Sequence, residues 1–266
     1  MSTHVPRRTV LAGAAAVAAA GAAVAVSGSP AAATGNGPKP TIVLVHGAFA
    51  DATGWSDVIT RLTHAGYPVI APPNPLRGVA SDSAYLRDFL TTVTGPVVLA
   101  GHSYGGVLIT NAATDNASVK ALVYIAAFAP DAGETVFGLQ NQFPGTLLTQ
   151  DQLEFRPWPG GIDGYVRKEA FRAVFAGDLP ASTTDVMWAA QRPGDTSSLQ
   201  EASGAPAWKT IPSFYLVAKE DRLIPAAAQR FMARRAGAHT VEVKASHVAM
   251  ISQPRITADL IRRAAR

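Results

Sequence analysis

The sequence contains no cysteine among its 266 residues. Disulfide bonds and thiolate metal sites are therefore excluded, and so is catalysis by a cysteine nucleophile. A chain without such crosslinks must gain its stability from a hydrophobic core. The hydrophobic fraction of 48% and the length of the chain allow such a core in one compact domain, or in one domain that carries an insertion.

Charged residues are also scarce, at 16% of the sequence, and the formal net charge at pH 7 is only +4. The lysines and arginines are scattered along the chain. They do not form the basic stripe, interleaved with aromatic residues, that is typical of a nucleic-acid surface. We therefore expect no nucleic acid among the partners of this protein.

The first 33 residues differ from the rest, because they contain Arg7 and Arg8 and no acidic residue. A long run of Ala, Gly and Val follows, and residues 31–33 are the small residues that a signal peptidase accepts. This pattern predicts a signal peptide of the twin-arginine type over residues 1–33 and a linker over residues 34–40. The alternative is a retained membrane anchor, although Ala and Gly are weakly hydrophobic. We expect a secreted protein with no stable membrane association after cleavage.

Short apolar runs alternate with helix-like segments from residue 41 onwards. Six runs have the length and composition of buried strands: TIVLVHG, YPVIAP, GPVVLAG, VKALVYIAAF, PSFYLVA and HTVEVKA. Alternation of strand and helix is typical of a parallel sheet that is covered on both faces. The fold class predicted for residues 41–266 is α/β, with a doubly wound and mainly parallel sheet of about six strands and helices on both faces.

The segment of about residues 131–209 interrupts this alternation. It is too long for a loop, and it includes the helix-like stretches DGYVRKEAFRAVFAG and STTDVMWAAQRPG. Asp163 and Ser182 are candidate N-caps of these helices, and Gly177 is a candidate helix stop. We therefore predict a small helical cap, inserted between two strands, that covers the strand ends. Most of its aromatic residues should form the core of the cap, and one or two should line a substrate pocket.

Catalytic groups of parallel sheets gather beyond the carboxyl ends of the strands. The third run ends in GHSYGG, where Ser103 stands between two glycines, after a strand and just before a helix. The glycines suit a sharp turn with no room for side chains, and a helix N-terminus beneath the serine favours a developing oxyanion. Ser103 is therefore the candidate nucleophile. The alternative is a serine that only caps the helix.

A serine nucleophile needs a base within hydrogen-bond reach. His247 is the candidate, because it lies in a loop after the last strand and before the closing helix. The alternative is a solvated loop histidine without a catalytic role. The other five histidines are weaker candidates. His4 lies in the predicted signal peptide, His64 in a predicted helix, and His239 at the start of a predicted strand. The side chain of His102 should point away from the serine, and at His46 we expect the backbone to matter more than the side chain.

The base in turn needs a carboxylate that holds its tautomer and stabilises the imidazolium. Asp221 directly follows the run PSFYLVA and is the candidate, with Glu220 and Asp131 as alternatives that also follow strands. An oxyanion needs backbone N–H donors. We expect one from Tyr104, the residue after the nucleophile, and one from Ala48 in the loop after the first strand.

Four motifs, VLVHGAFADATGW, GHSYGG, AKEDRLIP and ASHVAMISQP, resemble those of the α/β-hydrolase fold superfamily. The resemblance extends from about residue 40 to the C-terminus. Its nearest branch holds plant methyl esterases, hydroxynitrile lyases and many bacterial esterases. The resemblance implies Ser103 as nucleophile, Asp221 as orienting acid and His247 as general base, with the same two backbone donors for the oxyanion.

The predicted function is that of a secreted serine hydrolase that cleaves small carboxylic esters through an acyl-enzyme. Its partner is a small-molecule ester, and the chemistry requires no metal and no cofactor. The alternatives are lyase chemistry on the same triad and a non-catalytic small-molecule receptor. The hydroxynitrile lyases resembled here carry threonine at the position of Gly47 and lysine at the position of Val248, so both residues of this chain favour ester hydrolysis.

Overall fold

The structure, a computed structural model, describes residues 38–266. The predicted signal peptide over residues 1–33 and the first part of the predicted linker, residues 34–37, lie outside the described residues. Within residues 38–266, no helix combines the length and the apolar character that crossing a membrane requires.

Strands and helices alternate along the described chain as the apolar runs predict. The strands are β1 (Thr41–Val45), β2 (Val69–Ile70), β3 (Val97–Ser103), β4 (Val119–Ala127), β5 (Leu153–Trp158), β6 (Gly161–Val166), β7 (Gly194–Asp195), β8 (Ser213–Ala218) and β9 (His239–Val243). The α-helices are α1 (Ser56–His64), α2 (Val79–Thr91), α3 (Gly105–Ala112), α4 (Val136–Asn141), α5 (Lys168–Phe175), α6 (Ala181–Ala189), α7 (Ala226–Arg235), α8 (Ala249–Ser252) and α9 (Pro254–Ala264).

Six strands form a parallel sheet in the order β2-β1-β3-β4-β8-β9. All six coincide with the predicted apolar runs. Every residue of β3 is buried, because the sheet is covered on both faces and a central strand then needs apolar side chains on each of them. The predicted doubly wound α/β fold is confirmed.

Helices form a layer on each face of this sheet. On one face α3 packs against β3 and β4 and also contacts α2. On the other face α9 packs against the same strands and contacts α1 and α8. The largest fully buried side chains, Trp55, Tyr124 and Tyr215 among them, belong to the single hydrophobic core between these layers.

The segment between β4 and β8 contains helices α4, α5 and α6, as a helical cap predicts, but it also contains three strands that were not predicted. These strands form an antiparallel sheet in the order β5-β6-β7. Asp163 lies within β6 and caps no helix, so this prediction is wrong; α5 begins only at Lys168. Ser182 lies inside α6, whose N-cap position is Pro180. The predicted stop at Gly177 follows α5 by two residues.

Candidate active site

Ser103 occupies a strained turn between the end of β3 and the start of α3. Its φ angle is +53°, which is in the left-handed region that side chains rarely adopt. The turn is tight, because a Cβ atom on Gly101 would lie 2.6 Å from the carbonyl oxygen of Gly105. Such strain persists only where the surrounding structure enforces it, and it clusters at functional sites. The local sequence therefore builds the sharp strand-to-helix turn predicted for a nucleophile.

Asp221 and His247 are brought together across 26 residues of sequence. Nδ1 of His247 lies 2.7 Å from Oδ2 of Asp221, and both side chains are fully buried. A carboxylate only accepts hydrogen bonds, so Nδ1 carries the proton and Nε2 keeps its lone pair. Nε2 has no hydrogen-bond partner within residues 38–266. The imidazole is therefore oriented as a base requires.

His102, which directly precedes Ser103, joins the turn at Ser103 to the loop that contains His247. Nε2 of His102 donates a hydrogen bond of 3.0 Å to the main-chain oxygen of His247, and the two rings are 4.6 Å apart. No hydrogen bond joins Oγ of Ser103 to Nε2 of His247 in the described part of the chain. Such contacts are often long in the absence of substrate and tighten in the reacting complex.

His102 itself cannot replace His247 as the base. Burial lowers the pKa of its imidazole well below the ordinary range, and the neighbouring His247 lowers it further. Its Nε2 already donates to the main chain, so the ring holds the loop in place as a neutral group. This agrees with the expectation that its side chain points away from the reacting position.

The alternative carboxylates do not contact the base. The side chain of Glu220 is half-exposed and lies 3.7 Å from Nζ of Lys244. Asp131 accepts a hydrogen bond of 2.6 Å from Nζ of Lys209 at the surface. Of the three acids that follow strands, only Asp221 reaches His247.

The two expected oxyanion donors lie on adjacent segments. A Cβ atom on Gly47, the neighbour of Ala48, would lie 3.1 Å from the nitrogen of Tyr104 and 2.6 Å from Cβ of Ser103. Within residues 38–266 neither the N–H of Ala48 nor that of Tyr104 donates a hydrogen bond to another protein group. Two unused N–H groups beside the serine are what a hole for an oxyanion requires.

The side chain of His46 holds the loop that contains Ala48, whereas the sequence analysis expected the backbone to matter more at this position. Its Nε2 accepts a hydrogen bond of 3.1 Å from the backbone of Asn74, and its Nδ1 lies 2.9 Å from the oxygen of Gly47. The side chain of Asn74 donates back to the oxygen of His46 at 2.9 Å. Burial lowers the pKa of His46, which keeps it neutral and able to accept at Nε2.

The side chain of Tyr104 is also fixed, by a hydrogen bond to the buried carboxyl of Asp82. The tyrosine hydroxyl donates a hydrogen bond of 3.1 Å to Oδ2 of Asp82, which also accepts from the backbone N–H groups of Arg77 and Gly78. Burial raises the pKa of Asp82, and these three donors oppose that effect. An acid in the first turn of a helix is the sequence signal that could have identified Asp82.

A cavity of about 260 Å³ opens beside this centre. It lies between α6 of the cap, the loop after β1, and α8. Its apolar lining includes Phe49, Ala50, Met187, Val248, Met250 and Ile251. Phe49 directly follows Ala48, and Val248 directly follows His247, so the lining includes the sequence neighbours of a candidate oxyanion donor and of the candidate base. Two acids, Asp51 and Asp57, complete its polar side.

Metal ligands are not clustered in this region. Among residues 38–266, no group of three or more His, Asp or Glu side chains is arranged to hold a metal ion.

The sequence pattern of the Alpha/beta hydrolase family matches residues 42–260. A pyrethroid hydrolase from Sphingobium wenxiniae is 29% identical over 243 residues, which cover 83% of this chain and 85% of that protein. Methylesterase 9 of Arabidopsis thaliana is 27% identical over 237 residues, covering 80% and 93%. The crystal structure of polyneuridine aldehyde esterase superposes with a TM-score of 0.74 at 21% identity, covering 86% of this chain and all of the other.

The family match covers most of the chain, including β1, the turn at Ser103, and His247. The chain therefore belongs to the alpha/beta hydrolase family. The resemblance noted in the four sequence motifs is thereby confirmed.

Proposed function

We propose that this enzyme cleaves small carboxylic esters through an acyl-enzyme formed on Ser103, with His247 as general base and Asp221 as the orienting acid. The observation that carries the proposal is the buried pair of Asp221 and His247. The pair leaves Nε2 of His247 without a hydrogen-bond partner among residues 38–266, on a loop that is hydrogen-bonded to His102, the neighbour of Ser103. Ester hydrolysis is also the activity in the names of the methylesterase and of several other relatives.

The proposed reaction has two halves. Nε2 of His247 takes the proton of Ser103 as Oγ attacks the ester carbonyl, and the imidazolium then protonates the departing alcohol. Water, deprotonated by the same nitrogen, releases the acid and restores the serine. The N–H groups of Ala48 and Tyr104 would stabilise the oxyanion in both halves, each contributing about 3 to 4 kcal/mol to the lowering of the barrier.

A hydrolase is favoured over the lyase alternative by the packing around Gly47. A Cβ atom added at Gly47 would lie 2.6 Å from Cβ of Ser103 and 2.9 Å from the oxygen of His102. The threonine found in the resembled hydroxynitrile lyases therefore does not fit here unless the turn moves. Val248, in place of their lysine, is fully buried and adds no cation beside the base.

The substrate class follows from the cavity beside the centre. Its volume of about 260 Å³ lies just below the range of roughly 300–1,000 Å³ typical of pockets for drug-sized ligands. The lining is mostly apolar, and its two carboxylates disfavour an anionic substrate. We therefore propose a small, uncharged ester with an apolar group in this cavity.

Export is proposed on the sequence of residues 1–33 alone. Arg7 and Arg8, followed by the uncharged run and the small residues at 31–33, favour a cleaved twin-arginine signal and a secreted enzyme. N-terminal sequencing of the protein recovered from the culture medium of an expressing cell with this export route tests it. Retention of the full-length chain in the membrane fraction would contradict the proposal.

The esterase proposal is tested by turnover and by labelling. Purified residues 34–266 should hydrolyse p-nitrophenyl esters from acetate to octanoate without added metal or cofactor. A fluorophosphonate should block this activity and leave its adduct on the peptide that contains Ser103, as identified by mass spectrometry. Ligand binding without turnover or labelling, detected as a ligand-dependent rise in Tm, would instead support the receptor alternative.

The role of the cavity is tested by filling it. Replacing Met187 with tryptophan should lower kcat/KM for octanoate relative to acetate by about tenfold, because the larger ring occupies space that the longer chain needs. Val186→Trp is the matched control, since Val186 precedes Met187 on α6 and is 69% exposed. An equal octanoate-to-acetate ratio in both variants would show that the substrate lies elsewhere.

A further inference from the structure

Gln229, in α7, is a fully buried amide with no part in the reaction described above. All of its polar atoms are engaged. Its Nε2 donates a hydrogen bond of 2.7 Å to Oδ2 of Asp221 and one of 2.8 Å to the main-chain oxygen of Ile224. Its Oε1 accepts a hydrogen bond of 2.9 Å from the N–H of Ala218. The side chain therefore links the last residue of β8 to the loop that carries the acid.

Both oxygens of Asp221 are fixed by this arrangement. Oδ1 accepts hydrogen bonds of 2.8 and 2.9 Å from the N–H groups of Leu223 and Ile224. Oδ2 receives Nε2 of Gln229 and Nδ1 of His247, each at 2.7 Å. The amide thus acts on the same oxygen that orients the imidazole.

We propose that Gln229 is a positioning residue, which holds Oδ2 of the Asp221 carboxylate against Nδ1 of the His247 imidazole and shares the charge of the carboxylate. The inference rests on the proposed function, because it assigns His247 as the base. The amide proton spreads part of the charge on Oδ2, so the carboxylate stabilises the imidazolium enough to orient it without making the base too strongly protonated.

The charged and titratable groups around the imidazole support this reading. Asp221 is in direct contact, and the ring of His102 lies 4.6 Å away but is kept neutral by burial, which lowers its pKa. The hydroxyl of Tyr215 lies near Asp221, and burial raises its pKa, so it is also neutral. On the other side of the loop, Asp178 accepts hydrogen bonds from Ser246.

Loss of the amide donor should change the pH profile in a defined direction. Without this donor, Oδ2 of Asp221 carries more of the negative charge and favours the imidazolium that it contacts. The acid limb of the kcat/KM profile should therefore shift to higher pH.

Gln229→Met tests the inference, because methionine keeps the length of the side chain and removes its hydrogen bonds. We expect kcat to fall about ten- to a hundredfold, since one charge-assisted hydrogen bond is lost at the orienting acid. Gln191→Met is the matched control. Gln191 is equally an internal amide, with one accepted and two donated hydrogen bonds to the backbone of Val166 and Trp188 in the cap. The control should leave the acid limb in place.

A purely structural role of Gln229 is distinguished by Gln229→Glu. Burial and the nearby Asp221 raise the pKa of the introduced carboxyl, which donates to Oδ2 as long as it is protonated. We expect kcat within about threefold of the wild type at the acidic end of the activity range, with loss toward the level of Gln229→Met as the carboxyl ionises. This pH-dependent rescue decides the matter even if the methionine variant does not fold.

Direct observation of the imidazole separates failure of this inference from failure of the esterase proposal. The NMR signal of the Nδ1 proton of His247 reports its hydrogen bond to Oδ2 of Asp221, and it should shift in Gln229→Met but not in Gln191→Met, whether or not the enzyme turns over a given ester. Absence of esterase activity in wild type would overturn the proposed function alone. An unchanged Nδ1 signal and an unchanged acid limb in both Gln229 variants would overturn the positioning role.

Discussion

Ser103→Ala is expected to lower kcat for p-nitrophenyl esters by at least about a thousandfold, with little change in KM. The reason is that the attacking oxygen is removed while the cavity and the oxyanion donors remain. The residual rate should still exceed the uncatalysed rate, because binding and oxyanion stabilisation persist without the nucleophile. Initial rates at saturating substrate, with enzyme free of wild-type contamination, measure the effect.

Stability should change little in this variant, so the loss of rate can be assigned to chemistry. Alanine at position 103 keeps the Cβ atom and the strained φ of +53°. Ser213→Ala is the matched control, since Ser213 is as buried as Ser103, each with 4% of its surface exposed, and its hydroxyl donates a hydrogen bond to the nearby oxygen of Ile211. If Ser103→Ala keeps the rate of this control, the assignment of the nucleophile is wrong.

The four inner strands of the parallel sheet, β1, β3, β4 and β8, could be predicted because a strand buried on both faces leaves a continuous apolar run in the sequence, whereas the edge strands β2 and β9 are only partly buried and leave a weaker pattern. β3 and β8 are examples in which every residue is buried. The antiparallel strands of the cap leave no such signal. In β5 only Leu153 is buried, and the strand includes Pro157 and four exposed positions. Its pairing with β6 depends on partners in space and not on local pattern.

The candidate site was predictable to the extent that it lies at strand ends. Ser103 and Asp221 were predicted in this way, and in the structure Asp221 forms a hydrogen bond with His247, the predicted base. The supporting residues lie elsewhere in the chain. Gln229 sits on the buried face of α7 with Ala228 and Met232, and a polar residue on such a face was the available signal. Which atom it would contact depends on how α7 packs against β8.

Asp221→Asn is expected to lower kcat at neutral pH by about ten thousandfold, the scale seen when the orienting acid of a serine hydrolase becomes an amide. An asparagine that keeps the hydrogen bonds from Leu223 and Ile224 to its oxygen would turn its NH₂ group toward Nδ1 of His247. Nδ1 must then accept, which moves the imidazole proton to Nε2. The base can no longer take a proton from Ser103.

The two acids that were alternatives to Asp221 provide controls of the same chemistry. Glu220→Gln and Asp131→Asn alter surface carboxylates that pair with Lys244 and Lys209, and such pairs contribute only about 0 to 1 kcal/mol to stability. Both variants should keep kcat within about twofold of wild type, since neither acid contacts the imidazole.

A large loss in Glu220→Gln with a normal rate in Asp221→Asn would show that the loop rearranges in the working enzyme and that the buried pair is not the catalytic one. The NH₂ group introduced by Asp221→Asn would also face Nε2 of Gln229, which donates to the same oxygen of Asp221, so some loss of stability is expected. A loss of rate confined to Asp221→Asn, in enzyme that is fully folded at the assay temperature, would tie the rate to the hydrogen bonds that the side chain at position 221 makes.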